Sequence, residues 1–209
     1  MTDYARRERR LLADLLLAMG PDAPTLCAGW TTRDLAAHLV VRERRPDASA
    51  ANLIRSLAGH NEQVRRAMAA RPYPDVVRLV RTPPWWSPVS NRLTDELFNG
   101  VEFFIHHEDV RRGAAGWQPR SLDAGQRQAL WRTVRFTARI GLRRLGIPVL
   151  LRAPGLGELT VGDGTPRVTL TGDPGELALF VSGRQRAAQV TTEGEPAAVE
   201  RLRTARLGI

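Results

Sequence analysis

The sequence predicts an α+β protein: a helical part over residues 1–146, then a small α+β part over residues 147–209. Three observations support this. The first two-thirds place apolar residues at helical spacing between helix-stop signals, and the last third breaks into short β-prone pieces separated by glycine. The turn sequence Gly146-Ile147-Pro148 marks the change. With 209 residues and 43% hydrophobic content the chain can bury a core, and the C-terminal piece is small enough to be expected to dock on the helical part.

The elements follow in order. Asp3 to Met19 carries Leu11, Leu12, Leu15 and Leu16 at helical spacing and stops at Gly20-Pro21. "TTRDLAAHLVVRERR" opens with Thr31 and, three residues on, Asp34, a capping-box pattern with Asp in place of Glu, and Pro46 closes it. Further helices are expected around Ser49 to Ala58, His60 to Ala70 and Tyr73 to Arg81, before the loop "TPPWWSPVS". Two long helices, Arg92 to Arg112 and Leu122 to Leu145, are joined by "GAAGWQPRS". Strands are expected in "VLLRA", "GELTVG", "RVTLTG" and "AAQVTTEG", with helices at Pro174 to Ser182 and Pro196 to Thr204. The glycines of "GLGELTVGDG" lie between two strands and read as hairpin turns, since a phosphate loop needs a strand-to-helix setting.

Composition narrows the function classes. The longest apolar runs fall short of the roughly 20 residues that span a bilayer, and the charged start leads into no cleavage site. A soluble cytoplasmic protein, monomer or homodimer, is the expectation. Cys27 is the single cysteine, which removes a disulfide scaffold. The net charge of +9 raises nucleic acid as a partner, but all 31 basic residues are arginines scattered over several helices, the pattern of a solvated surface.

The chemistry concentrates in "NGVEFFIHHEDVRR", Asn99 to Arg112, which holds two of the four histidines. On a helix Glu102 and His106 are separated by about 40° around the axis and can point at one spot, with Asp109 on the same face and His107 turned about 100° from His106. A carboxylate and an imidazole at this spacing form half a site for a divalent metal, and His38 in "DLAAHLVV" is the natural further ligand. The alternative is a hydrogen-bonded Glu102–His106 pair and a core histidine at 38. Burying an acid and two histidines without a cation or partner is costly, which favours convergence. Asp109 reads as a partner of a ligand or as a fourth ligand. Cys27 reads as a small buried group or as a reactive thiol near a helix start, and His107 as a substitute ligand, an outer partner or a surface residue. His60 has no partner motif. Trp85 and Trp86 are expected to pack across helix ends or wall a pocket, and Trp30 to staple its helix.

"LCAGWTTRDLAAHLVVRERRP" resembles the N-terminal signature of the mycothiol-dependent maleylpyruvate isomerase family, a branch of the DinB-like metal-binding helical bundles. "NGVEFFIHHEDVRR" resembles that family's second signature, Glu-x-x-x-His. With "WWSP", "HHEDVRR" and the Gly-Arg of "FVSGRQR", the chain resembles in particular an actinobacterial subgroup of metal-binding proteins. The resemblance implies a DinB-like four-helix bundle followed by a small α+β C-terminal domain. It implies zinc held by His38, Glu102 and His106, and mycothiol as the thiol that zinc activates. It also places Arg184 near the active site as a catalytic arginine able to meet a substrate carboxylate.

The leading expectation is therefore a zinc-dependent enzyme using mycothiol for transfer to, or isomerisation of, a small electrophilic substrate. Two other readings stand beside it: a zinc-hydroxide hydrolase, and a non-catalytic metal-binding or thiol-sensing regulatory protein.

Overall fold

The computed structural model describes residues 4–45, 47, 58–84, 86 and 99–208. It is an α+β structure whose chain falls into two compact units, Met1–Trp117 and Gln118–Ile209. The helix expected at Ser49 to Ala58, the start of that expected at Arg92, and Trp85 lie outside the described residues.

The first unit is helical: α1 Tyr4–Met19, α2 Thr32–Arg44, α3 Ala58–Ala69, α4 Tyr73–Arg81 and α5 Gly100–Arg111. Its core draws on Leu12 and Leu16 of α1, Leu35 and Leu39 of α2, Val76 of α4 and Phe103 of α5. Burying each such side chain stabilises the fold by about 1.5–3 kcal/mol. The inward stripe of α1 is rotated from the expected one. Leu12, Ala13 and Leu16 are buried while Leu11 is 39% exposed, because Glu8 and Arg9 occupy the preceding inward positions. Those charges are paired across helices. Arg9 binds Glu43 of α2 through both terminal nitrogens, and its ring-facing guanidinium also lies 4.2 Å from the Phe103 centroid. Glu8 meets Nδ1 of His107 on α5 at 2.9 Å.

At the start of α2 the Asp34 carboxylate accepts from both the backbone N–H and the hydroxyl of Thr31, each at 3.0 Å. It also accepts from Arg65 of α3 at 2.6 Å, so one carboxylate fixes both the helix start and its neighbour. Arg65 holds Glu62 by a further 2.8 Å bond, and this pairing drops the Glu62 carboxyl to about 2. The Tyr73 hydroxyl donates to the Leu16 carbonyl at 2.8 Å, tying α4 to α1.

The second unit contains α6 Ala124–Arg143, β1 Val149–Ala153, β2 Gly157–Val161, β3 Val168–Thr171, α7 Pro174–Val181, β4 Thr191–Gly194 and α8 Pro196–Thr204. The sheet order is β2-β1-β3-β4, with β1 and β3 parallel and the outer pairs antiparallel. The β1–β2 hairpin is the one read from the glycines. Period-2 alternation sends Val149 and Leu151 of β1, Leu159 and Val161 of β2, and Val168 and Leu170 of β3 inward. The sequence places a boundary at 146/147, whereas the compact units meet after Trp117. The reason is packing: α6 lies along α7 and against β2, so the helix over 124–143 belongs with the sheet. Among the described residues no helix is long and apolar enough to cross a membrane.

Candidate metal centre

The centre is assembled from α2, α5 and the loop that leads into α2. His38 stands two turns into α2 on the edge that follows from Asp34, between the buried stripe of Leu35 and Leu39 and the surface. Glu102 and His106 stand one turn apart on α5, as the spacing predicts. Three donor atoms converge there: Nε2 of His38, Oε1 of Glu102 and Nε2 of His106. Glu102 Oε1 lies 3.7 Å from His38 Nε2 and 3.3 Å from His106 Nε2. The two rings meet edge to face with centroids 5.3 Å apart.

The spacing suits a shared cation. Donors about 2.0–2.1 Å from a tetrahedral zinc stand about 3.3 Å from one another. Here the three donors lie within 4.8 Å of one another, and two neutral imidazoles with one carboxylate form a donor set that zinc accepts. The enclosure is one-sided. The side chains of His38 and Glu102 are 23% and 29% exposed, so this edge of the cluster is only partly covered. On the far side Asp109 is fully buried.

Asp109 orients His106. Its Oδ2 lies 2.9 Å from His106 Nδ1, and since a carboxylate can only accept, Nδ1 carries the proton and Nε2 is the atom that faces Glu102. The same Oδ2 accepts from the Cys27 thiol at 3.2 Å, forming a second cluster of Cys27, His106 and Asp109. The loop carrying Cys27 reaches α5 because the Leu26 N–H donates to the Asp109 carbonyl at 3.0 Å and because residue 113 is glycine. A Cβ there would stand 2.1 Å from the Pro24 carbonyl oxygen.

Electrostatics separates the three donors. Burial pushes the His38 imidazole down, only partly offset by Glu102, which keeps it in the neutral form that binds metals. Burial alone would raise the Glu102 carboxyl, but His106 and His38, with Arg42 beside them, hold it well below the usual carboxylate range. For His106 burial opposes the charge, and Asp109, Cys27 and Glu102 overcome it, so its imidazole titrates well above the ordinary value.

Several side chains around the donors escaped the sequence reading. Arg42, one turn beyond His38, brings its Nε to 3.3 Å from the same Glu102 oxygen and donates from NH1 to Asn99 at 2.6 Å. The signal was present, since positions 38 and 42 share a helix edge. Glu8 gave no local signal, its partner His107 being 99 residues away in sequence. His107 is accordingly a buried partner of α1, neither a surface group nor a substitute ligand, because its ring is turned towards Glu8. Trp30 precedes the α2 cap and packs its ring against His38, centroids 5.1 Å apart, and the Arg65 guanidinium lies over the Trp30 ring, 5.0 Å from its centroid. His60 is exposed and meets Asp47 at 3.2 Å. Trp86 is exposed.

Arg184 belongs to the second unit. It follows Gly183, whose φ of +89° turns the chain after α7, and its NH1 donates to the Ser182 carbonyl at 2.6 Å.

No protein-family model matches the chain, and no curated protein matches it. Two solved structures resemble it. One is a histidine-to-alanine mutant of the mycothiol-dependent maleylpyruvate isomerase, at 12% identity and TM-score 0.54, covering 92% of this chain and 91% of that one. The other is that isomerase without the mutation named, at 13% identity and TM-score 0.46 with the same coverage. The first likeness shows that the chain has a maleylpyruvate isomerase-like fold, over nearly its whole length.

Proposed function

We propose that the chain is a cytoplasmic enzyme with a DinB-like four-helix bundle, using a divalent metal, zinc, and a low-molecular-weight thiol of the mycothiol type. Its reaction is transfer to, or isomerisation of, a small electrophilic substrate. The single observation behind this reading is the convergence of His38 Nε2, Glu102 Oε1 and His106 Nε2 at a part-exposed edge. The isomerase-like fold supports the choice of thiol.

His38, Glu102 and His106 would hold the zinc, which would lower the pKa of a thiol bound beside it. The chain's own residues do the rest. His38 enters neutral and needs no proton removed. Asp109 fixes the His106 tautomer, so that Nε2 is directed to the donor cluster. Glu102 supplies the negative charge, held ionised by the two imidazoles and Arg42. Trp30 shields one flank of His38, limiting rotation of its ring. Arg184 is proposed to orient an anionic substrate group, its planar fork suiting a carboxylate.

The test is calorimetric titration of mycothiol into metal-loaded protein, with cobalt as a spectroscopic substitute for zinc. Stoichiometric thiol binding with a sulfur-to-cobalt absorption band, absent from His38→Ala, is the expected result. Stoichiometric metal uptake with no thiol binding would overturn the thiol-dependent reading.

A further inference from the structure

We infer that the outer face of α6 docks on an anionic lipid surface, with Phe136 and Ile140 entering the headgroup region and Arg132, Arg135, Arg139, Arg143 and Arg144 meeting lipid phosphates. The helix would lie along the surface rather than cross it. The inference concerns the second unit and stands independently of the metal reading.

The sequence of α6 sets the pattern. From Ala124 to Arg144 it carries arginines and no acidic residue. Leu130, Trp131, Val134, Ala138 and Leu142 are buried, which turns the opposite arc to solvent. Two rows of four-residue steps run along that arc. One is Arg132, Phe136, Ile140 and Arg144, an apolar pair between two cations, and the other is Arg135, Arg139 and Arg143. All seven residues are exposed, Phe136 by 56% and Ile140 by 46%.

The charges of this face are uncompensated. Elsewhere on the surface arginines hold carboxylates: Arg66 with Glu62, Arg78 with Asp75, Arg152 with Glu158 and Arg167 with Glu195. The five outward arginines of α6 have no carboxylate partner among the described residues. Arg132 Nε donates only to the Gln128 carbonyl at 3.4 Å, and Arg139 NH1 to the Arg135 carbonyl at 2.9 Å, both within the helix. Such a stripe attracts a polyanion.

The apolar pair decides which polyanion. Single-stranded nucleic acid stacks its bases on aromatic rings in a basic groove, and Ile140 offers no stacking surface on a convex helix flank. An acidic protein would need pockets shaped to both protruding side chains. A fluid lipid interface needs neither, because it conforms to a convex face and takes up aromatic and aliphatic groups alike. Arginine stems are long enough to lie along apolar surface while their guanidinium groups stay at the phosphate level.

The test is co-sedimentation of the full chain with vesicles of phosphatidylcholine alone or mixed with an equal part of phosphatidylglycerol. An oligothymidylate is titrated in parallel. The variants are the doubles Arg135→Gln/Arg139→Gln and Phe136→Ser/Ile140→Ser, all at exposed positions, with folding checked by circular dichroism. Wild type is expected to bind the mixed vesicles at least about tenfold more tightly than the neutral ones. Each double is expected to lose at least about tenfold in that affinity. Absence of binding to mixed vesicles, or equal binding to both kinds, overturns the inference. Undiminished binding by the Phe136/Ile140 double also overturns it, leaving a charge effect without insertion. Undiminished binding by the arginine double assigns the attraction to another face and overturns it too. Tighter binding of oligothymidylate than of mixed vesicles overturns it in favour of a nucleic-acid partner.

Discussion

His106 is held by two carboxylates of different kinds. Asp109, wholly buried, accepts the Nδ1–H hydrogen bond, while Glu102, part-exposed, faces Nε2. The first bond sets the tautomer and the second marks where a cation would be held. Asp109→Asn keeps the size of the side chain but can present an amide N–H to Nδ1, so the preferred tautomer is lost. Zinc affinity is expected to fall about 10- to 100-fold with the fold unchanged, measured by competition with a chromogenic chelator against circular dichroism. A proton effect accompanies this. Without metal the His106 imidazole titrates well above its ordinary value, so at pH 7 the Nε2 proton must leave before a cation binds there. Affinity therefore rises with pH up to that raised value and falls as pH drops below it. Metal titrations in buffers of different ionisation heat are expected to show about one proton released per ion at pH 7. Binding without proton release would place the cation elsewhere.

At the scale of elements, one helix-to-helix relation and one loop build the site. Glu102 and His106 were legible in the sequence because a four-residue spacing on a helix is a statement about direction. His38 was legible as an imidazole in an apolar face, and the Thr31/Asp34 pattern correctly placed the start of its helix. The reach of Cys27 to Asp109 was not legible, since the two are 82 residues apart and meet only through the tertiary course of the loop. The same holds for Glu8 and His107, whose burial depends on α1 lying against α5. The grouping of α6 with the sheet was hidden for a similar reason. Its apolar period shows that it packs, and says nothing of the partner, which turns out to be α7. The loop offers its own test at Gly113. Gly113→Ala sets a methyl against the Pro24 carbonyl, forcing backbone to move. It is expected to destabilise the fold by about 1–3 kcal/mol in urea unfolding and, by loosening the Leu26–Asp109 bond, to weaken zinc binding as well. Full stability in this variant would show that the loop does not need its close approach.

For the molecule as a whole, the helical unit buries paired charges, Arg9 with Glu43, Glu8 with His107, and Glu108 with Arg112, and part-exposed Arg111 also meets Glu108. Such pairs contribute little net stability, but removing one partner strands the other, at about 3–5 kcal/mol. The Glu8–His107 pair ties α5, the helix that supplies Glu102 and His106, to α1, and the Arg9–Glu43 pair ties α1 to α2. Metal binding draws on the same helices, so zinc present at about a thousandfold over its Kd should stabilise the protein by about 4 kcal/mol. A chelator should reverse the resulting rise in Tm, and His38→Ala should not show it.

The decisive measurement is metal content by elemental analysis of untagged protein, for wild type, His38→Ala and His106→Ala purified identically. Near-stoichiometric zinc in wild type, lost from both variants, is the predicted result, since ligands from α2 and α5 must both be intact. A wild type that carries no metal and takes up none on addition would contradict it. The convergence of His38, Glu102 and His106 would then be a hydrogen-bonding network of the helical core.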